Sequence, residues 1–214
     1  MKIILIGPPG VGKGTQGLLL ADKIGIPVIS TGQVIRDVIR SGSKGSDKLK
    51  SIVSSGELVP DILMVEILEA RLLSDDCNKG YILDGFPRTL AQAETLLNKG
   101  IDIDYVVEFN LHKDEIVKRL SGRLYHPSSG RIYHKDFNPP KHPLLDDVTG
   151  EALVVRDDDK PEAIIKRLQL FDDQTSPLLQ FYQSRTDQLN LKYIALDASG
   201  SVDEIQSELL QFLT

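Results

Sequence analysis

The sequence predicts an α/β fold, a parallel sheet with helices on both faces. Three observations carry this expectation. Five short runs rich in apolar, aromatic or branched residues, at 2–6, 27–29, 81–83, 105–109 and 193–196, read as strands. Helical stretches fall between them, and strands that alternate with helices imply parallel pairing through crossovers. The first run ends at a glycine-rich turn that opens straight into a helical pattern. With 214 residues, 41% of them hydrophobic and 26% charged, the chain suits one substantial domain with room for inserts.

The elements follow in order. Residues 2–6 form an unbroken apolar run, the pattern of a strand buried on both faces. Residues 12–24 read as a helix with Leu18, Leu19, Ala21 and Ile24 at its apolar positions. Further helices are expected at 62–73, 90–97, 114–120 and 162–185. A last one follows Ser201, which with Glu204 makes a Ser-x-x-Glu capping box. Two segments break the rhythm. Residues 41–55 are polar, lysine-rich and helical, with no strand partner. Residues 122–159 hold Pro127, Gly130, Pro139, Pro140, Pro143 and Gly150, with a hairpin-like pair at 123–126 and 131–134. A structureless loop of that length is unusual, so this segment reads as a small inserted subdomain.

Composition narrows the function. No apolar run approaches the roughly 20 residues that span a bilayer, and no targeting segment is evident at the start. A single cysteine, Cys77, has no partner for an internal disulfide, which fits a reducing compartment, the cytoplasm by default. A formal net charge of −6 argues against a protein that coats nucleic acid. Cationic chemistry must therefore be local.

The turn after the first strand is Gly7-Pro-Pro-Gly-Val-Gly-Lys-Gly-Thr15. Between strand and helix this is the context of a P-loop. Its glycines let backbone N–H groups wrap phosphate oxygens, and the helix N-terminus adds a favourable dipole. Lys13 would reach the β- and γ-phosphates, and Thr15 could help hold Mg²⁺. Gly14 stands where Ser or Thr is usual, and the hydroxyl arrives one residue later.

Phosphoryl transfer needs several cations, because charge spreads over the moving group. Arg119 and Arg123 stand four apart at a helix end, where an anion between them would relieve their mutual repulsion. Arg156 and Arg167 bracket the far side of the insert, separated by Asp157, Asp158 and Asp159, and Arg36 and Arg88 lie near element starts. Any one of these, alone, reads as a surface charge. Six at the edges of loops and inserts, rather than on outer helix faces, are less easily dismissed as such.

With these residues in hand, the sequence resembles the adenylate kinases, in particular the long bacterial form with a full lid. The resemblance covers essentially the whole chain. Beyond the P-loop it rests on Ser30-Thr-Gly32, Arg36, Gly56-Glu-Leu-Val59, Asp84-Gly-Phe-Pro-Arg88, Gln92, Gly122-Arg123, Ser129-Gly-Arg-Ile-Tyr133, Asn138-Pro-Pro140 and Asp146-Asp-Val-Thr-Gly150. It implies a P-loop kinase with a five-stranded parallel sheet, a helical AMP-binding segment and a small β lid. The core would be 1–29, 60–121 and 160–214, the AMP segment 30–59 and the lid 122–159.

By position, the resemblance assigns the ATP phosphates to Gly10, Val11, Gly12, Lys13, Gly14 and Thr15. Arg119 and Gly200 would lie against the adenine, and Ile132 and Tyr133 would cover the ATP. AMP would meet Thr31, Arg36, Glu57, Leu58, Val59, Gly85, Phe86, Arg88, Gln92, Arg156 and Arg167. Lys13, Arg88, Arg123, Arg156 and Arg167 would be catalytic, and Asp84 with Thr15 would orient Mg²⁺ through water. The implied reaction is reversible transfer from ATP to AMP giving two ADP, by a cytoplasmic monomer that engages neither nucleic acid nor membrane. Gln33 stands where the family usually has Asp, so any role of that carboxylate is lost or altered.

Some members of the family bind structural zinc through two Cys-x-x-Cys pairs in the lid. His126, Ser129, Asp146 and Thr149 occupy those positions here. Hydroxyls are poor zinc ligands, so a hydrogen-bonded cluster is expected instead of a zinc site. His112, His134 and His142 read as surface or lid residues, and Cys77 has no assigned role. Two rival functions remain at this point. A kinase for GMP, UMP or CMP is the nearest, though Thr31, Gln92 and the full lid favour adenine. A P-loop switch is the other, but it requires neither an arginine-lined acceptor site nor a lid.

Overall fold

The computed structural model describes residues 1–42, 46–55, 57 and 59–213. In order they form β1 (Lys2–Ile6), α1 (Lys13–Ile24), β2 (Val28–Ser30), α2 (Thr31–Ser41), α3 (Ser46–Ser54) and α4 (Asp61–Leu72). There follow β3 (Tyr81–Asp84), α5 (Leu90–Asn98), β4 (Tyr105–Asn110), α6 (Lys113–Ser121), β5 (Arg123–Tyr125) and β6 (Ile132–His134). The chain ends with α7 (Pro161–Leu170), α8 (Pro177–Gln183), α9 (Thr186–Leu189), β7 (Lys192–Asp197) and α10 (Val202–Leu213).

Among the described residues, β2, β3, β1, β4 and β7 line up in that order as a parallel sheet. Alternation along β1 shows why its run is continuously apolar. Ile3 and Leu5 enter a core with Leu20 of α1 and Ile205, Leu209 and Leu213 of α10. Ile4 and Ile6 enter the opposite core with Leu83, Val106, Leu96 of α5 and Leu178 of α8. Both faces are buried, as a parallel sheet covered by helices requires.

The single helix expected at 162–185 is instead broken. α7 stops at Leu170, a π-helical turn covers Phe171–Thr175, and α8 starts afresh at Pro177. Proline has no N–H to continue the ladder and its ring crowds the preceding turn. Ser176 N reaches back to Phe171 O at 2.7 Å, the longer loop of a π-bulge. The other expected strands and helices of the core appear with shifts of at most one residue at each end; within the helical stretch expected at 41–55, α3 covers Ser46–Ser54, and residues 43–45 lie outside those described. The capping box forms: Ser201 N donates to Glu204 Oε2 at 2.8 Å, and Glu204 N to Ser201 Oγ at 3.3 Å.

The inserted segment folds around the antiparallel pair β5–β6, one residue shorter on each strand than expected, with a further bridge between Tyr125 and Val154. Leu124, Tyr133 and Leu153 give it a small core. No helix among the described residues is long and apolar enough to cross a membrane.

Candidate active site

The carboxyl ends of the parallel strands converge, which is where such sheets bind ligands. β1 runs into the glycine loop and β2 into Thr31. β3 ends at Asp84, which sits in register with both Leu5 and Ser30. β4 leads to α6, which carries Arg119, and β7 leads to Gly200. Together they floor a cleft of about 1260 Å³, larger than the ~300–1,000 Å³ typical of one small-molecule site.

The loop takes the shape that phosphate binding needs. Gly10 has φ +83°, and a Cβ there would lie 2.6 Å from Leu120 Cγ, so any other residue would strain the loop and displace Leu120. Lys13 begins α1 and curls back, donating from Nζ to Gly7 O at 2.6 Å and Pro8 O at 2.9 Å. Burial lowers its pKa to about 8, with Asp84 opposing and Arg88, Arg167 and Arg123 adding to the depression. A methyl group on Gly14 would stand 3.4 Å from Asp84 Oδ2, so this carboxylate comes up against the loop.

Arg123, Arg156 and Arg167 close round two buried carboxylates. Arg123 forks onto Asp159, with Nε at 2.7 Å and Nη2 at 2.5 Å. Arg156 forks onto Asp158, its Nε at 2.8 Å from Oδ1 and its Nη2 on Oδ2. Arg167 Nη1 reaches Asp158 Oδ2 at 3.1 Å, Asp158 O at 2.8 Å and Asp159 Oδ1 at 3.4 Å. Burial works to raise the Asp158 pKa, but the charges of Arg167, Arg156 and Arg123 hold it well below the carboxylate range. Burial, with like charge from Arg123 and Arg156, brings Arg167 down to about 10 against Asp158. Lys13, Arg36, Arg88, Arg123, Arg156 and Arg167 thus face the carboxylates of Asp84, Asp158 and Asp159, an excess of positive charge fit for polyanions.

On the β2–β3 side, Gly85 has φ +83°, and a Cβ there would meet Arg88 Nη2 at 2.8 Å and Thr31 Oγ1 at 2.9 Å. Arg88 Nε donates to Gly85 O at 2.7 Å, and Arg88 N to Gln92 Oε1 at 2.7 Å. Gln92 Nε2 donates to Asp61 Oδ1. Thr31 Oγ1 donates to Gly85 O at 3.0 Å. Burial lowers both Arg88 and Arg36, the charge of Arg156 adding to each. Val59 and Phe86 are buried walls of the cleft. Glu57 stands at its rim, paired through Oε1 to Lys166 at 2.7 Å. Gly56 and Leu58 lie outside the described residues, as does the side chain of Gln33.

On the other side, Arg119 is pinned by Val11 O at 3.2 Å and Ala198 O at 2.8 Å, a flat guanidinium beside Gly200. Burial lowers its pKa. Ile132 lines the cleft, whereas Tyr133 is mostly drawn into the inserted segment, its hydroxyl donating to Asp146 Oδ1 at 3.0 Å. Val11, Gly12 and Thr15 complete the loop side.

The expected lid cluster is present as hydrogen bonds. His126 Nδ1 meets Ser129 Oγ at 2.7 Å, Thr149 Oγ1 donates to Asp146 Oδ2 at 3.0 Å, and Arg131 forks onto Asp146. Glu151 joins it at 2.7 Å from His126 Nε2. His134 is buried within the inserted segment, its Nδ1 accepting from Asp136 N and Phe137 N.

Four residues escaped sequence reasoning. Asp158 and Asp159 are counter-ions, for which the acidic run beside Arg156 was a signal. Asp61 holds Gln92, and Thr175 Oγ1 donates to Arg88 O at 2.9 Å across 87 positions of sequence, with no local signature.

Among the described residues, no three His, Cys, Asp or Glu side chains gather to hold a metal by themselves. One carboxylate and one hydroxyl, Asp84 and Thr15, suit an ion that keeps its waters and takes other ligands from phosphate, the habit of Mg²⁺.

A family model described as adenylate kinase matches residues 5–187, a span that contains the glycine loop, Asp84 and every arginine of the cleft. Glycine loop, converging arginines and this match agree: the chain belongs to the adenylate kinase family and is a nucleoside monophosphate kinase, a phosphotransferase.

Proposed function

We propose that this enzyme moves the terminal phosphoryl group of ATP to AMP, reversibly and with Mg²⁺, giving two ADP and serving nucleotide interconversion and energy homeostasis. The observation that carries this reading is the cluster of Lys13, Arg88, Arg123, Arg156 and Arg167 on the walls of one cleft. A nucleotide hydrolase needs cations round one polyphosphate. Here a second set, Arg36 and Arg88, serves an acceptor phosphate whose own charge would otherwise repel the donor.

In this reading the P-loop, 10–15, holds the donor phosphates, and Arg119, Ile132, Tyr133 and Gly200 flank its adenine. Thr31, Glu57, Leu58, Val59, Gly85, Phe86 and Gln92 hold the acceptor nucleoside. Lys13, Arg123, Arg156 and Arg167 stabilise the charge on the moving group, and Arg156 and Arg167 also reach AMP beside Arg36 and Arg88. Asp84 and Thr15 would hold Mg²⁺ through water, and the ion would neutralise charge between donor phosphates. A phosphate nucleophile needs no general base. Residues 30–59 form the AMP segment and 122–159 the lid, around a core of 1–29, 60–121 and 160–214. Closure of the lid excludes water, which keeps ATP from hydrolysis. The enzyme works as a cytoplasmic monomer.

Purified protein with ATP, Mg²⁺ and each of AMP, GMP, UMP and CMP tests this. Diphosphate formed efficiently only with AMP supports it, and a clear preference for UMP overturns it.

A further inference from the structure

We propose that Tyr125 is a positioning residue, whose ring backs Arg36 and Arg156 from behind the cleft and fixes both guanidiniums for the acceptor phosphate. The inference rests on reading those arginines as ligands of AMP. Arg36 comes from α2 and Arg156 from the far end of the lid, and both line the cleft. Tyr125 lies behind them, 5% exposed. The Arg36 Cζ is 5.3 Å and the Arg156 Cζ 5.8 Å from the centre of its ring. Both distances are within cation–π range.

Its backbone makes the ring a fixed platform. Tyr125 pairs with Ile132 on one edge, and on the other exchanges hydrogen bonds with Val154 at 2.8 Å in each direction. Val154 is two residues before Arg156, so the same ladder that holds the ring sets where Arg156 begins. One helical turn beyond Arg36, Arg40 Nη2 donates to Pro127 O at 2.6 Å, joining α2 to the lid along the same seam.

The residue type matters. Two guanidiniums brought together repel, and burial together with the charge of Arg156 depresses Arg36, which the Tyr125 phenol opposes, in part through a side-chain hydrogen bond to Arg36. A carboxylate in that place would neutralise the arginines and compete with the incoming phosphate. An aromatic face orients them and leaves their charge available.

Steady-state kinetics on Tyr125→Leu, Tyr125→Phe and Arg36→Ala test the inference. Tyr125→Leu should raise KM for AMP about 5- to 20-fold, the span of a desolvated cation–π contact, with KM for ATP within about twofold of the parent. Tyr125→Phe, which keeps the ring but loses the hydroxyl's hydrogen bond to Arg36, should recover part of that loss, with a KM for AMP clearly between the parent and Leu values. Equal rises in both KM values would mean a lid that no longer folds correctly, and would overturn the positioning role. A Phe variant as poor as Leu would shift the effect to the hydroxyl and overturn the stacking account. If Arg36→Ala raises KM for AMP and Tyr125→Leu does not, this inference alone falls. If Arg36→Ala leaves it unchanged, the AMP-side reading falls with it.

Discussion

Removing the P-loop lysine should make the ligand-free protein more stable. Lys13 is held in the cleft with its pKa lowered from 10.5 to about 8, burial being the largest cause. A gap of that size corresponds to about 3 kcal/mol against keeping the ammonium charged in the folded state at neutral pH. Lys13→Met abolishes that cost. It also gives up the hydrogen bonds to Gly7 O and Pro8 O, worth about 1–2 kcal/mol together. The net expectation is a gain of about 1–2 kcal/mol, or roughly 2–8 °C in Tm for a chain of this size. The sign of the pH dependence follows from proton counting. Between pH 8 and 10.5 the unfolded chain holds the Lys13 proton and the folded protein does not, so the parent gains stability as pH rises through that window. The advantage of the variant is therefore full below about pH 8 and gone near pH 10.5. Thermal unfolding by circular dichroism, without nucleotide, at neutral pH and near pH 10 reads both quantities. A variant less stable than the parent at neutral pH, or a Tm difference that ignores pH, would refute the reasoning.

Other outcomes follow from the same geometry. Phosphoryl transfer by Lys13→Met should drop by at least about 10²-fold with the fold intact, as single-turnover assays would show. For the parent, kcat/KM for ATP should be flat below about pH 8 and decline above it as the Lys13 cation is lost, and a profile flat past pH 9.5 would contradict this. Thr175→Val removes the hydroxyl that holds the Arg88 carbonyl, and should raise KM for AMP about fivefold at a cost of ~1 kcal/mol while sparing ATP. Gly85→Ala forces a Cβ against Arg88 and Thr31 at φ +83°, so it should cost about 1–3 kcal/mol in chemical denaturation and weaken AMP binding most.

How much was legible follows from what each feature depends on. The strands were readable because burial on both faces leaves an unbroken apolar run, as in Ile3 to Ile6. The glycine loop was readable because its geometry is local: Gly10 must adopt a positive φ whatever surrounds it. The break in the helix at 171–177 was missed because the apolar pattern runs on through Phe171 and Leu178 while Pro177 alone interrupts the backbone. Motif likeness suggested which arginines matter but not their partners. Asp158 and Asp159 could pass for solvated charges, yet both are buried under guanidiniums. Thr175 on Arg88 and Tyr125 under Arg36 join segments remote in sequence, and no spacing encodes such contacts.

The central claim is that one cleft holds two nucleotides and exchanges a phosphoryl group between them. Supplying purified enzyme with ADP and Mg²⁺ alone, and following nucleotides by chromatography, tests it most directly. The account predicts ATP and AMP appearing in equal amounts until all three reach equilibrium. ADP left unchanged, or converted to AMP and inorganic phosphate with no ATP formed, would contradict it.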